Sequence, residues 1–278
     1  MKNHFYISFC LAAFMAFSLF SCDEIEGPYK ETNQTDTTTT GEVVKKVLLE
    51  EFTGHKCPNC PDGAASAHAL KELYGDKLVI VAIHSGYFAT TTSPDFTYDF
   101  RTPEGEDLYS SFGVTTNPIG MINRKEFSGK KLQTHTSWST YVSGEMDVEP
   151  VIGLKIENTY DADTRALSVK VTAKTVTALT ENYKICVQIT ENGIVKPQQS
   201  SSGINQNYEH DHVLRQTLNT AWGEDIALSG ASGTEAIKNY NITLNNDWVA
   251  ENCSVVAYIY NSANFEVVQA EEISIINP

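Results

Sequence analysis

Apolar residues in the first part of the chain form two short runs with a helix-forming stretch between them. The runs cover residues 47–52 and 77–84. The stretch from Pro61 is rich in Ala and Leu and stops at Gly75. Short continuous apolar runs are typical of strands buried on both faces, as in a parallel sheet. The pattern therefore predicts strand, helix, strand.

The pattern changes to period-two alternation near residue 149. Before this point, residues 85–112 are aromatic and polar without a clean period, apart from a predicted helix at 104–112. After it, seven short runs are separated by Gly, Asn and Asp: 151–157, 166–173, 183–190, 213–218, 237–244, 255–260 and 265–275. This favours an all-β sandwich of immunoglobulin-like type. We expect two domains, an α/β domain at 43–146 and a β-sandwich domain at 147–278.

The N-terminus has the pattern of an export signal. A polar start with Lys2 is followed by an apolar run over residues 5–20, so we predict a signal peptide at 1–21. The sequence Leu-Phe-Ser-Cys ending at Cys22 resembles the bacterial lipobox, which implies that Cys22 carries lipid such as palmitate. A simple signal peptide or a transmembrane anchor is the alternative, although the run is short for a span. Residues 22–42 are polar and are predicted to be a flexible tether.

The formal net charge of −15 narrows the range of partners. An acidic surface repels phosphate backbones and anionic headgroups. Nucleic acid is therefore excluded as an expected partner, and membrane contact is expected only through the lipid on Cys22.

Cysteines supply the candidate chemistry. Of six, Cys22 is the predicted lipid site and one leaves with the leader, which leaves Cys57, Cys60, Cys186 and Cys253. Cys57 and Cys60 lie where a strand passes into a helix, whose N-terminus favours a thiolate. The pair is interpreted as redox-active, with an inert disulfide or half of a zinc site as alternatives. No second Cys-x-x-Cys supports zinc, and no metal or cofactor is predicted.

Three further features are open to more than one interpretation. Cys186 and Cys253 are a candidate second disulfide, but on antiparallel neighbouring strands they would lie at opposite ends. His210 and His212 have a spacing compatible with metal binding, although a hydrogen-bonded structural role is favoured. His55 either stabilises a thiolate or is a solvated loop residue.

Two motifs resemble the thioredoxin family over residues 43–145. An aromatic-Gly-apolar step at 112–114 is followed, five residues after Gly113, by Pro118 and an apolar strand. Thioredoxins have a cis-proline there, and a buried acid six residues before the first cysteine, where this chain has Glu51. Strand alternation puts Glu51 on the face of Val47 and Leu49.

The resemblance also implies roles for these residues. Cys57 is the exposed attacking thiolate and Cys60 is the shielded resolving thiol. Glu51 accepts the Cys60 proton, and Pro118 holds the partner and keeps metals away. Lys56 departs from the family, which has Trp before the first cysteine.

The whole chain resembles the 28-kDa outer-membrane lipoprotein family of Bacteroidetes. The resemblance rests on the lipobox, on Gly-His-Lys-Cys-Pro-Asn-Cys-Pro at 54–61 and on Tyr-Glu-His-Asp-His-Val-Leu-Arg at 208–215. We therefore expect a lipid-anchored outer-membrane protein that exchanges with protein thiols or disulfides of the cell envelope. The alternative is a surface-binding or adhesion lipoprotein that uses the sandwich, with a structural Cys57–Cys60 disulfide.

Overall fold

The computed structural model describes residues 43–276. The predicted signal peptide at 1–21, the lipid site Cys22 and the tether at 22–42 lie outside the described residues. Among the helices described, none combines the length and the apolar character needed to cross a membrane.

The first half of the described chain mixes strands and helices. Its elements are β1 (Val47–Thr53), α1 (Cys60–Tyr74), β2 (Leu78–His84), α2 (Pro103–Ser111), β3 (Ile119–Ile122) and α3 (Trp138–Met146). β1 pairs in parallel with β2 and antiparallel with β3. α1 ends at Gly75, whose φ of 54° lies in the left-handed region that glycine tolerates. The predicted strand–helix–strand unit is confirmed to within about one residue at each end.

The second half is built of strands. They are β4 (Ile152–Asp161), β5 (Ala166–Thr175), β6 (Tyr183–Glu191), β7 (Ile194–Ser200), β8 (Gly203–His210), β9 (Val213–Thr217), β10 (Glu224–Ile226), β11 (Glu235–Thr243), β12 (Cys253–Asn261) and β13 (Val267–Ser274). All seven predicted strands are present. The sequence pattern missed β7, β8 and β10, because β8 is largely exposed polar chain and β10 has only three residues.

One mixed sheet runs through both halves. Its strand order is β13-β12-β6-β9-β2-β1-β3, with β10 paired to β6. The halves meet where β9 lies parallel to β2, through the pair Ala82 and Val213 and a 2.8 Å bond from the Ala82 amide to the His212 carbonyl. The chain changes character near the predicted boundary at 146/147, but the described residues 43–276 all belong to one compact unit, in which β9 pairs with the edge of β2.

Apolar side chains form three clusters around this sheet. One lies between β1–β3 and the helices α1 and α3, and includes Leu49, Leu70 and Trp138. A second covers the other face across both halves, from Phe52 under α2 to residues of β12. The third lies between β6–β12 and a separate sheet of order β11-β5-β4. The fold is therefore β-rich, with two facing sheets in the second half; an immunoglobulin-like topology for them stays a prediction.

Arg124 connects the two halves inside the second cluster. Its guanidinium donates to the Glu50 carboxylate at 2.7 and 2.6 Å and to the Tyr258 hydroxyl at 2.7 Å. The Arg124 side chain is 0% exposed and that of Glu50 1%. The guanidinium lies 5.0–5.9 Å from the ring centres of four aromatic residues, Phe112, Trp222, Tyr258 and Tyr260. β1 and β12 thus share one buried ionic network.

Candidate functional site

Cys57 and Cys60 form a disulfide at the start of α1, with their Cα atoms 5.4 Å apart. β1 ends at Thr53 and a tight turn follows, in which the Cys57 amide donates to the Gly54 carbonyl at 3.0 Å. Cys60 is the first residue of the helix and Pro61 occupies its first turn, where a missing N–H has no cost. The predicted position of the pair between strand and helix is confirmed.

Both cysteines are buried, which differs from the exposed Cys57 that the resemblance implies. Cys57 is 1% exposed and Cys60 is 2% exposed, whereas Pro58 and Asn59 between them are exposed. The Cys57 Sγ lies 3.5 Å from the Asn117 carbonyl oxygen, just before Pro118. The two cysteines are buried by a part of the chain that the sequence pattern did not predict.

The β7–β8 hairpin covers the disulfide turn. The Gln198 side-chain amide donates to the Cys57 carbonyl at 3.0 Å and to the Gly54 carbonyl at 3.4 Å. The Gln199 amide donates to the His55 carbonyl at 2.7 Å. Gln198 is itself 2% exposed. The disulfide turn is therefore closed by polar contacts from a part of the chain more than a hundred residues away.

Glu51 lies in β1 beneath α1 and is 3% exposed. Burial raises the pKa of its carboxyl to about 8, and its Oε1 has no hydrogen-bond partner in the described chain. An ionised carboxylate is unfavourable in such surroundings, so Glu51 is protonated at neutral pH. It has the position and burial that the resemblance implies for a proton-transfer group.

Gly63 allows Glu51, Pro118 and α1 to come together. A Cβ atom on Gly63 would lie 2.7 Å from Glu51 Oε1 and 2.7 Å from Pro118 Cβ, so any larger residue would clash. The Asn117–Pro118 peptide bond is cis, as the resemblance implies. Gly63 was not singled out from the sequence; its place three residues after Cys60, on the same helix face, is the signal that could have revealed it.

Histidines and aromatic rings pack beside the disulfide turn. The Phe100 ring centre lies 4.4 Å from that of His84 and 4.6 Å from that of His210. Burial lowers the pKa of His210 to about 4 and that of His84 well below its usual value. His55 is 1% exposed, and burial lowers its pKa as well. The solvated-loop interpretation of His55 is therefore wrong, and the histidines are neutral at physiological pH.

A cavity of about 400 Å³ lies between α1, the central strands and the segment 205–212. Its lining includes Cys60, Glu51, Ala64, His84, Tyr208, His210 and His212. Cys57 is not part of the lining. Within residues 43–276, no group of three or more His, Cys, Asp or Glu side chains is arranged to hold a metal ion.

The candidate second disulfide between Cys186 and Cys253 does not form, because both are free thiols. β6 and β12 are antiparallel neighbours, but Cys186 pairs with Tyr258 and Cys253 pairs with Glu191. The two cysteines also face different apolar clusters on opposite sides of the sheet. Neither distance nor direction permits a bridge.

A model of the family described as outer membrane protein Omp28 matches residues 105–276. The chain belongs to the Omp28 family. The match covers more than half of the sequence and supports an outer membrane protein. It begins inside α2, so the Omp28 match contains Pro118 and the covering hairpin but not the Cys57–Cys60 turn. A comparison with curated proteins finds no match.

Solved structures show that the architecture of this Omp28 chain recurs. HBP35 of Porphyromonas gingivalis is 18% identical, with a TM-score of 0.66 over 84% of this chain and 76% of that one. Protein AGR_C_4864 from Agrobacterium tumefaciens is 11% identical, with a TM-score of 0.52 over 86% and 98%. A domain of the outer membrane lipoprotein Omp28 from Porphyromonas gingivalis is 23% identical, over 45% and 88%, with a TM-score of 0.29. The first two similarities concern the fold alone.

Proposed function

We propose that this protein is a lipid-anchored thiol–disulfide oxidoreductase of the outer membrane, with a thioredoxin-like first half. The observation that carries the proposal is the convergence on Gly63 of a protonated buried acid, Glu51, and Pro118, one helical turn after the Cys57–Cys60 disulfide. A disulfide that served only to hold the turn would not need an acid beside it.

The groups around the disulfide suit exchange chemistry. A substrate thiolate attacks one sulfur of the disulfide, forms a mixed disulfide and expels the other sulfur as a thiolate. The N-terminus of α1 stabilises negative charge on a cysteine of the turn. Because the pKa of Glu51 is about 8, its carboxyl can release and regain a proton near neutral pH, as a proton carrier for Cys60 must.

The reduction potential of the Cys57–Cys60 pair tests this function. Catalytic pairs lie between roughly −270 and −120 mV, whereas structural disulfides lie below about −300 mV. We expect a potential in the catalytic range for the purified residues 43–278, which include all the described residues of the compact unit. The measurement equilibrates the protein with glutathione or dithiothreitol mixtures and counts the thiols that react with a maleimide. A value below about −300 mV contradicts the proposal.

A trapping experiment provides a second readout. Variants with one cysteine of the pair, Cys57→Ala or Cys60→Ala, should retain mixed disulfides, because the remaining thiolate can attack a substrate disulfide and displace one of its sulfurs, but no second thiol resolves the product. The double variant should retain none. Cys186→Ala is the matched control, since it removes a buried free thiol outside the site. Equal trapping by the double variant and the single variants contradicts exchange at this site.

A second function is favoured by one observation, the burial of both cysteines beneath Gln198. In that case the disulfide is structural and the facing sheets of the second half form a binding module in the cell envelope. The reduction potential separates the two functions, because a buried structural disulfide resists reduction.

The lipid anchor on Cys22 is part of the proposal and is supported by the lipobox-like leader. Metabolic labelling with a fatty-acid analogue should tag the wild-type protein and not Cys22→Ala. Cys10→Ala is the control, because Cys10 lies in the predicted leader. Labelling of Cys22→Ala at the wild-type level contradicts the anchor.

A further inference from the structure

Only one of the two cysteines of the disulfide lines the neighbouring cavity. Both cysteines are buried, but Cys60 belongs to the lining of the cavity, whereas Cys57 does not and packs against Asn117 and Gln198. A thiolate attacks a disulfide along the line of the S–S bond, from the side opposite the leaving sulfur. A nucleophile in the cavity therefore approaches Cys60 with Cys57 as the leaving group.

Polar atoms around this cavity lack partners. Glu51 Oε1, His84 Nδ1 and His212 Nδ1 are buried without a hydrogen bond in the described chain, and all three residues belong to the lining. Buried polar atoms in folded proteins nearly always have a partner. Three of them belong to residues that line one space of about 400 Å³, which favours a small polar molecule as its occupant.

The charge of the lining restricts that molecule. Glu209 and Asp211 are exposed acidic residues at the edge of the cavity, and the described lining contains no Lys or Arg. The part of the lining that α1 supplies includes the small apolar residues Ala64 and Ala67. Such a site favours a short aliphatic molecule with a positively charged group.

We propose that the cavity admits a low-molecular-weight thiol bearing an ammonium group and presents its sulfur to Cys60. This inference rests on the proposed exchange function and names its substrate class and the sulfur attacked. The first thiolate forms a mixed disulfide with Cys60 and expels Cys57 as a thiolate. A second thiol molecule attacks the sulfur of the bound one, which releases a symmetrical small disulfide and the Cys60 thiolate. Two thiols are thus oxidised by two electrons, the protein disulfide is reduced, and the protons of the two thiols pass to Cys57 and Cys60.

Thiol charge is the first test, and it uses the wild-type protein. Cysteamine and 3-mercaptopropionate are similar in size and opposite in charge. Each rate of reduction is divided by the rate of the same thiol with a neutral small disulfide, which removes differences in intrinsic nucleophilicity. We expect cysteamine to be favoured about tenfold or more, with the preference falling at high salt. Equal normalised rates, or a preference for the anion, overturn the inference.

The site of attack is the second test. Wild-type protein mixed briefly with cysteamine is quenched with N-ethylmaleimide and sequenced by mass spectrometry. We expect cysteamine on Cys60 and the maleimide on Cys57. The reverse assignment overturns the inference while leaving exchange itself intact.

Filling the cavity is the third test. Ala64→Phe places a large side chain in the lining and should slow reduction by cysteamine about tenfold, whereas Ala69→Phe, on the exposed face of α1, should not. Far-UV circular dichroism checks that both variants fold; should Ala64→Phe not fold, the first two tests decide. Equal rates in two folded variants overturn the route. A reduction potential below about −300 mV removes the proposed function itself, whereas these outcomes at a catalytic potential remove only the cavity route.

Discussion

Two adjacent glutamates in β1 have opposite surroundings. Glu50 points to the sheet face where Arg124 neutralises its charge, and Glu51 points to the α1 face, where it has no cationic partner and its pKa rises to about 8. Strand alternation alone accounts for this difference, because successive side chains leave a strand on opposite sides. One glutamate is therefore part of the fold's ionic core, and the other is a buried, protonated carboxyl beside α1.

Replacement of Glu51 by Gln should change how stability depends on pH. The folded state holds a proton on Glu51 up to about pH 8, while the unfolded carboxyl loses it near its usual value of about 4.5. Between these values the folded state binds more protons, so the free energy of unfolding falls as pH rises, by at most about 1.4 kcal/mol per pH unit. Glu51→Gln removes this contribution.

Denaturant titrations at pH 5, 6 and 7 measure the effect. The difference in unfolding free energy between Glu51→Gln and wild type should increase by about 2–3 kcal/mol over this range, in favour of the variant. Taking the difference cancels the contributions of the buried histidines, which are present in both proteins. A difference that does not change with pH would mean that Glu51 is ionised in the folded protein.

Secondary elements with a strong apolar period were predictable, and the polar hairpin was not. β1, α1 and β2 follow from their apolar runs and from the Gly75 stop. The hairpin has exposed polar residues over most of β8, so no period marks it. Its role depends on long-range hydrogen bonds from Gln198 and Gln199, and such contacts have no local signal. For this reason the burial of Cys57 could not be predicted, although its position at a helix start could.

Gln198→Ala should expose the disulfide turn to reductants. The substitution removes the donor to the Cys57 and Gly54 carbonyls, a net loss of about 1 kcal/mol that favours opening of the hairpin. A phosphine should therefore reduce the Cys57–Cys60 disulfide of Gln198→Ala about fivefold to tenfold faster than that of the wild type. Ser202→Ala, in the exposed hairpin turn, is the matched control and should react as the wild type does. An unchanged rate in Gln198→Ala would show that this contact does not limit access.

The molecule as a whole is held together by contacts between its two halves. β2 of the first half pairs with β9 of the second half, and Arg124 connects β1 with β12. The sequence predicted a change from mixed to all-β structure near residue 147, and the fold has it. The sequence pattern did not predict the sheet that both halves share. β2 and β9 lie far apart in the sequence, and their pairing depends on how the folded chain packs, which has no local signal.

Removal of Arg124 should destabilise both halves together. Arg124→Met leaves Glu50 charged and unpaired in the core, which costs about 3–5 kcal/mol. The double variant Arg124→Met, Glu50→Leu should recover most of this loss, because the uncompensated charge is gone. Thermal and denaturant unfolding of the wild type, of Arg124→Met, of Glu50→Leu and of the double variant gives a complete double-mutant cycle. Additive losses would show that the pair does not interact energetically.

The region matched by the Omp28 family model begins at residue 105 and so includes β3 but not β1, the strand with which β3 pairs among the described strands. A fragment cut at residue 105 would present the unpaired backbone groups of β3 and an open edge of β9 to solvent, which invites aggregation. Recombination at residue 105, or at 146/147, would transfer only some strands of the central sheet, and the receiving protein would lack the strands that pair with them.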